Sequence, residues 1–259
     1  MKIAIGINSF KKEKDLTKRE KLCLESLRKC KDKNSNVTLY NIINDNDDLN
    51  YENFKTIKIP QTKKYPLVND LINALSKTDN DLIVFLNNDI ILNNTFFKQI
   101  EDNIETYPAS RGHLYELENL NDDLKIESYS VHGFDLFAFK NKWWKENKNI
   151  FPYVYLGKPY WDTLFFIKCV LNSNYKILNK QPPVIFHIEH ESNSCHDDNK
   201  DEFTQNNEQI AGMDKDMSKW WYFVQNVLLR RRDSSSGIKW WTPLNNELEL
   251  EKQIFKNEN

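Results

Sequence analysis

Short apolar runs alternate with amphipathic stretches along the N-terminal part of the chain. The pattern predicts strands at residues 2–8, 36–45 and 54–60, the first of them short and buried and the last closed by Pro60. KREKLCLESLRKC predicts a helix, because five of its residues recur at helical spacing: Leu22, Cys23, Ser26, Leu27 and Cys30. YPLVNDLINALSKTDND predicts a second helix, with Pro66 in its first turn and an apolar face formed by Leu67, Leu71, Ile72 and Leu75.

The stretch DNDLIVFLNNDIIL holds five consecutive apolar residues, Leu82 to Leu86, followed by Asn87, Asn88 and Asp89. A continuous apolar run is typical of a strand that is covered on both faces. In α/β sheets the carboxyl end of such a strand is where ligands bind. The polar triplet therefore predicts a binding site. The alternative interpretation is a plain turn, because Asn and Asp are common turn residues.

Strands that alternate with helices predict an α/β protein with a largely parallel sheet, flanked by helices and joined by right-handed crossovers. The carboxyl ends of parallel strands meet at one edge of the sheet. We therefore expect the polar residues that end three of these strands to lie along that edge: Asn8, Ser9, Asn44, Asp45, and Asn87 to Asp89.

The composition bounds the class of protein. A chain of 259 residues with 39% hydrophobic and 13% aromatic residues is too rich in core-forming side chains to be disordered. We expect one α/β domain with an appendage. The formal net charge is -2, so no overall field would attract the protein to nucleic acid. Only 6 glycines and no Gly-rich phosphate loop argue against dinucleotide oxidoreductases and P-loop enzymes.

The cysteines and the first residues bear on the cellular compartment. The chain has no CxxC pair, so we expect reduced core cysteines, with a disulfide or zinc role as the alternative, at Cys23, Cys30, Cys169 and Cys195. The first apolar stretch is shorter than a signal sequence or the roughly 20 residues of a membrane span. These features predict a cytoplasmic protein.

Motifs of the second half extend the pattern. SYSVHGFDLFAFKNKWW, residues 128–144, is followed by YLGKPYWDTLFFIKCVLNSNYKILNKQPPVIFHIEHESNS, residues 155–194. In this order, and after the strand that ends in NND, they resemble the GT-A glycosyltransferases, particularly family 2-like members that use nucleotide-sugar donors. The resemblance covers about residues 2–195. It implies a GT-A, Rossmann-like, mostly parallel sheet flanked by helices, with a C-terminal helical appendage.

The resemblance also implies a division of the chain. Residues 1–200 would form the GT-A domain, with a nucleotide-binding half at 1–92 and an acceptor and metal half at 93–200. Residues 201–259 would form a C-terminal helical extension. Its segment MSKWWYFVQNVLLRRR predicts a helix packed on the domain. The alternative is weak contact with a membrane surface that holds a lipid-linked acceptor.

The resemblance assigns the metal and donor sites. Asn87 stands where these enzymes have the first Asp of the DxD motif, and Asp89 stands where they have the last. Asp89 would bind Mn²⁺ or Mg²⁺, and His187 would complete the metal shell. His190 is three residues further along an extended segment, so both imidazoles cannot reach one metal unless the chain turns. The residues implied to bind the nucleotide sugar are Asn8, Ser9, Asp45, Asn69, Asn87 and Asn88.

The residues implied to be catalytic are two carboxylates. An acceptor hydroxyl needs a base to take its proton. Where family 2 enzymes have an acidic pair at a helix start, this chain has Trp161 and Asp162, so Asp162 would be the base. Its alternative role is helix N-cap. Asp135 in HGFDLF is the second candidate; it would otherwise bind sugar hydroxyls or simply end a strand.

These assignments predict a metal-dependent glycosyltransferase of polysaccharide biosynthesis. It would move a sugar from a nucleotide-diphosphate donor to a hydroxyl of a glycan or lipid-linked acceptor, with inversion. Two other classes stay open. Positions 87 and 161 lack the acidic residues that family 2 enzymes carry there. This absence would also suit a catalytically inactive module that binds nucleotide sugar or glycan. HIEHE, with its acidic neighbours, would suit a metal-dependent hydrolase.

Overall fold

The computed structural model of the protein describes residues 1–9, 16–60, 63–114, 120, 128–178, 184–188, 201–214 and 217. Predictions for Cys195 and His190 lie outside these residues. The same is true of the aromatic and basic segment after Met217.

Eight strands and five α-helices make up the described part of the chain. The strands are β1 (Ile3–Asn8), β2 (Val37–Asn44), β3 (Phe54–Ile59), β4 (Leu82–Leu86), β5 (Ile90–Leu92), β6 (Thr106–Leu114), β7 (Ser128–Lys140) and β8 (Ile185–Ile188). The α-helices are α1 (Lys18–Lys33), α2 (Val68–Ser76), α3 (Asn141–Asn147), α4 (Trp161–Asn172) and α5 (Glu202–Met213). Two short 3-10 helices span Asn94–Gln99 and Lys148–Ile150.

The strands form one sheet in the order β3-β2-β1-β4-β7-β6-β8-β5. The four strands of the N-terminal part pair in parallel, as predicted. Strand β7 is antiparallel to both β4 and β6, and β5 is antiparallel to β8, whereas β6 and β8 are parallel. The sheet is therefore mostly parallel, and its antiparallel pairs all involve strands from the second half or the short β5.

Helices cover both faces of the sheet. On β4, Ile83 and Phe85 face a core shared with α2 and α4, while Leu82, Val84 and Leu86 face a core shared with α1. All five side chains are at most 1% exposed. The prediction of a strand buried on both faces is confirmed.

Helix α1 begins at a capping box. The Thr17 hydroxyl accepts the backbone N–H of Glu20 at 3.3 Å, and the Glu20 carboxylate accepts the backbone N–H of Thr17 at 2.8 Å. The predicted stripe of α1 is buried, from Leu22 to Cys30.

Helix α2 begins later than predicted. Its first residue is Val68 and its N-cap is Leu67, so Pro66 lies before the helix and not in its first turn. Leu67 is extended and forms an isolated antiparallel bridge with Tyr155, and the Pro66 carbonyl accepts the N–H of Leu156 at 3.0 Å. Pairing with a distant segment therefore keeps these two residues out of the helix.

The three described cysteines, Cys23, Cys30 and Cys169, are free and buried, as expected for core positions. Burial raises the pKa of the Cys30 thiol to about 12 and raises the pKa values of the other two thiols as well. These thiols therefore stay protonated and pack as small apolar groups.

The described part of the C-terminal region packs on the domain. Ala211 of α5 and Met217 are buried in the core shared with α2 and α4. Residues beyond the predicted boundary at 200 thus contribute to the same core. No helix among the described residues is both long enough and apolar enough to cross a membrane.

Candidate active site

The carboxyl ends of β1, β2 and β4 lie along one edge of the sheet. The three strands are parallel neighbours, with Asn8 opposite Ile42 and Gly6 opposite Phe85. Polar residues at this edge therefore come together as the sequence predicts.

Asn8 and Ser9 are buried where β1 ends. The amide of Asn8 donates to the carbonyl oxygen of Ile42 at 2.7 Å, and the backbone N–H of Ser9 donates to the same oxygen at 3.3 Å. Asn8 therefore fastens the end of β1 to β2.

Asp45 follows the last residue of β2 and is exposed. Its backbone N–H donates to the carbonyl of Ile59, the last residue of β3, at 2.9 Å. The main chain is thus held by the sheet while the side chain stands at the surface of the edge. This placement suits a residue that contacts a ligand.

The turn that links β4 to β5 consists of Asn87, Asn88 and Asp89. Asn87 faces Asp135 of β7: its side-chain amide donates to Asp135 Oδ1 at 2.8 Å, and its backbone N–H donates to the Asp135 carbonyl at 3.1 Å. Asp135 is only 5% exposed, so its carboxylate depends on such donors. An aspartate at position 87 would offer no donor.

Asn88 faces helix α1. Its amide donates to Glu20 Oε1 at 3.1 Å, while Glu20 Oε2 accepts the backbone N–H of Thr17 in the capping box. Glu20 is buried, and this contact joins the start of α1 to the turn. The predicted site did not include Glu20, although the T-x-x-E spacing of residues 17–20 is a recognisable sequence signal for a cap.

Asp89 and His187 lie side by side. Asp89 Oδ2 is 3.4 Å from His187 Nε2, because β5 and β8 pair with Ile90 opposite His187. Burial favours the protonated carboxyl, but the hydrogen bond and charge of His187, together with the charge of Arg19, hold the pKa of Asp89 below its ordinary value. Asp89 is therefore ionised at neutral pH.

A carboxylate beside an imidazole fits a divalent cation that shares its coordination shell with phosphate oxygens. No group of three or more His, Cys, Asp or Glu side chains suited to a metal occurs among the described residues. Asp89 and His187 would thus supply only part of a metal shell.

Asp162 is the second residue of α4. The N-cap of this helix is Tyr160, which has a left-handed backbone with φ 70° and makes no side-chain cap. The N-cap interpretation of Asp162 is therefore wrong. Its Oδ2 instead accepts the backbone N–H of Phe134 at 3.2 Å. The carboxylate thus binds the residue next to Asp135, and it is partly exposed.

Asn69 belongs to another part of the edge. It lies in the first turn of α2, is 2% exposed, and donates to the carbonyl of Phe151 at 3.3 Å. Its Oδ1 is buried and accepts no hydrogen bond from the described residues. The contacts of Asn69 are thus to the loop before α4 and not to the turn at 87–89.

The structure therefore brings the predicted residues together in two groups. In the first group, Asn87 is hydrogen-bonded to Asp135 of β7, and the neighbouring Phe134 is hydrogen-bonded to Asp162 of α4. Asp89 and His187 form the second group. Asp89 follows Asn87 by two residues in the chain. Sequence reasoning missed two residues at the start of α1: Glu20, which accepts the Asn88 amide, and Arg19, whose charge lowers the pKa of Asp89.

Solved structures resemble this architecture. S. aureus TarS 1-349 in complex with UDP-GlcNAc matches with a TM-score of 0.55 at 14% identity, over 90% of this chain and 78% of that one. Another crystal structure of TarS 1-349 matches with a TM-score of 0.50 at 15% identity, over 73% of this chain and 60% of that one. These neighbours are glycosyltransferases.

The chain has the GT-A-like glycosyltransferase fold. A weaker match, with a TM-score of 0.45 and 10% identity, is the mannosyltransferase PcManGT from Pyrobaculum calidifontis in complex with GDP-Man and Mn²⁺; it covers 73% of this chain and 56% of that one. The chain spans about 60% of the length of the first TarS structure. No protein-family model matches the chain, and the comparison with curated proteins gives no match.

Proposed function

We propose that the protein is a metal-dependent glycosyltransferase that moves a sugar from a nucleotide-diphosphate donor to a hydroxyl of a glycan or lipid-linked acceptor, with inversion. The observation that carries this proposal is the pair formed by Asp89 and His187, 3.4 Å apart at the carboxyl edge of a GT-A-like sheet. The partly exposed carboxylate of Asp162 lies on the adjoining helix α4.

The donor would bind at this edge through its diphosphate and nucleoside. Asp89 and His187 would hold Mn²⁺ or Mg²⁺, which neutralises the charge of the diphosphate leaving group when it is bound. Asp45 and the buried pair Asn8 and Ser9 would line the nucleoside pocket, with Asn69 nearby.

Asn87 and Asn88 would contribute to donor binding in a particular way. Their amide nitrogens each donate one hydrogen bond, to Asp135 and to Glu20. Their side-chain oxygens would therefore accept from sugar hydroxyls, and the second N–H of each amide would donate to phosphate or sugar oxygens.

Asp162 is the better of the two candidate bases. It is partly exposed, whereas Asp135 is 5% exposed and accepts a hydrogen bond from Asn87. The first turn of α4 adds the positive end of the helix dipole, which stabilises the ionised carboxylate that must accept the proton. Asp135 then has a supporting role, because its carboxylate holds the Asn87 amide. The backbone N–H of the neighbouring Phe134 holds Asp162.

A binding module without catalysis is the second candidate. Position 87 carries an amide that is engaged by Asp135, and Trp161 is 5% exposed and packs against Phe85 and Phe137. Neither residue replaces the missing acid. A chain of this kind would bind the nucleotide-sugar donor without releasing nucleoside diphosphate.

The test measures nucleoside diphosphate release from a panel of nucleotide sugars, including UDP-GlcNAc and GDP-mannose, with Mn²⁺ and a panel of glycan acceptors. Asp162→Asn should lower turnover about 10²–10⁴-fold with donor affinity changed less than about threefold, because only basicity is lost. Asp102→Asn, at an exposed position, is the matched control.

The outcomes separate the candidates. Binding of a nucleotide sugar without any turnover supports the binding module. Metal-dependent hydrolase activity that needs no nucleotide sugar supports the metal-dependent hydrolase. If Asp135→Asn loses turnover and Asp162→Asn does not, Asp135 of strand β7 is the base. Full activity in both variants leaves the proposed mechanism without its base.

A further inference from the structure

Helix α5 is hydrogen-bonded to the loop that precedes helix α4. Asn207 lies on the inner face of α5 and is 0% exposed. Its Oδ1 accepts the backbone N–H of Tyr155 at 2.9 Å, and its amide donates to the carbonyls of Tyr155 at 3.0 Å and Pro159 at 3.1 Å. One side chain thus holds both ends of the loop at residues 155–159.

A second contact joins the same two segments near the surface. Lys158 Nζ is 2.5 Å from Asp201 Oδ2, and it lies 4.1 Å from the centroid of the Tyr65 ring. Asp201 is also the N-cap of α5, where its Oδ1 accepts the N–H of Thr204 at 2.9 Å. The start of α5 and the middle of the loop are therefore held together independently of Asn207.

The start of α4 has no cap of its own. Tyr160 adopts the left-handed region without a side-chain cap, a conformation that a non-glycine residue keeps only when its surroundings impose it. The residue before it, Pro159, is held by Asn207. The first turn of α4, which carries Asp162, consequently takes its position from a loop that α5 holds.

We propose that Asn207 is a positioning residue for Asp162. This inference rests on the proposed function, in which Asp162 is the base. Asn207 touches neither donor nor acceptor; it sets where α4 begins and hence the direction in which the Asp162 carboxylate faces the acceptor. The segment after residue 200, where the resemblance to glycosyltransferases fades, thereby becomes part of the catalytic apparatus.

The kinetic test is a double-mutant cycle between Asn207→Ala and Asp162→Asn. Alone, Asn207→Ala should lower kcat about 10–100-fold with the donor KM changed less than about threefold, because a small displacement of a catalytic group costs rate and not donor binding. In the Asp162→Asn background the same change should lower kcat less than about threefold, because no base is left to position. Gln209→Ala, exposed on the same helix, is the control.

Hydrogen exchange of the amides at residues 155–164 tests the structural link without any substrate. Asn207→Ala should speed exchange in this segment at least about tenfold more than Gln209→Ala, since the loop loses three hydrogen bonds. If Asn207→Ala does not fold, Asp201→Ala weakens the outer contact and should have a smaller effect on the same segment.

The two measurements fail in different ways. Equal losses of kcat in both backgrounds would show that Asn207 acts only on stability and would overturn the proposal. Unchanged exchange at 155–164 would overturn it as well, because the link to α4 would not exist. Altered exchange in a protein that turns over no nucleotide sugar would instead remove the proposed function, and with it the role of Asn207 in catalysis.

Discussion

Asn87 and Asp135 form a partly buried amide–carboxylate pair, with 2.8 Å between Asn87 Nδ2 and Asp135 Oδ1. The pair explains why an amide is tolerated where the resemblance to glycosyltransferases expects an aspartate. A buried carboxylate at 135 needs donors, and the amide at 87 provides one that an ionised carboxylate could not. The two positions are coupled, so neither can be changed without a consequence for the other.

Asn87→Asp should destabilise the protein, and increasingly so as the pH rises. Two carboxylates at this distance cannot both ionise, so the folded state raises the pKa of one of them above its unfolded value of about 4. The variant therefore loses stability as the pH rises from about 4 through that raised pKa. Urea unfolding at pH 5 and pH 8 should show a loss relative to the native protein of about 1–3 kcal/mol that is larger at pH 8.

The exposed turn residue Asn103 supplies the control, because Asn103→Asp adds the same charge at the surface. A loss of unfolding free energy in Asn87→Asp that does not grow with pH would contradict the coupling of positions 87 and 135. If Mn²⁺ restored the stability of Asn87→Asp at pH 8 but not that of Asn103→Asp, the new carboxylate would have become a metal ligand.

Asp89→Asn should abolish the metal-dependent part of nucleotide binding. In the native protein we expect UDP or GDP to raise the melting temperature only when Mn²⁺ or Mg²⁺ is present. A ligand at 100 times its Kd stabilises the folded state by about 2.7 kcal/mol. Differential scanning fluorimetry with and without EDTA measures the shift. An equal metal-dependent shift in Asp89→Asn would place the metal elsewhere, and a shift that survives EDTA would show that nucleotide binding needs no metal.

Asp45→Ala and Asn8→Ala should separate ligand contact from sheet structure. Asp45 is exposed at the edge, so its removal should weaken nucleotide binding about tenfold and leave the free energy of unfolding within about 0.5 kcal/mol. Asn8 is buried and bonded to Ile42, so its removal should cost about 1 kcal/mol of stability. Calorimetric titration and urea unfolding measure the two effects. Unchanged nucleotide affinity in Asp45→Ala would exclude it from the nucleoside pocket.

The pair of Asp201 and Lys158 should stabilise the protein only above acidic pH. Burial opposes ionisation of Asp201, but hydrogen bonds from Lys158 and Thr204 lower its pKa to about 2. Because the folded-state pKa lies below the unfolded value of about 4, the contribution is present above pH 4 and disappears as the pH falls to about 2. Unfolding midpoints of the native protein and Asp201→Asn should therefore differ at pH 5 and converge near pH 2. A constant difference would mean that folding does not favour the ionised form of the Asp201 carboxyl.

Helix α1 and strands β1 to β4 were predictable because their causes are local. Burial on both faces requires a continuous apolar run, as in Leu82–Leu86, and packing on one face requires helical spacing, as in α1. Parallel pairing of these strands follows from the helices between them, and it brings Asn8, Asp45 and Asn87 to one edge of the sheet.

The roles of the polar residues at that edge were decided by the tertiary structure. Asn87 bonds to a residue 48 positions away and Asn88 to one 68 positions away, while Asp162 binds the N–H of Phe134 instead of capping its own helix. Asn207, which holds the loop before α4, lies 52 positions from Tyr155. The sequence by itself determined which side chains are polar and which strand ends carry them. Which group each of them meets depends on strand register and helix placement, and these are set by packing between segments that lie far apart in the chain.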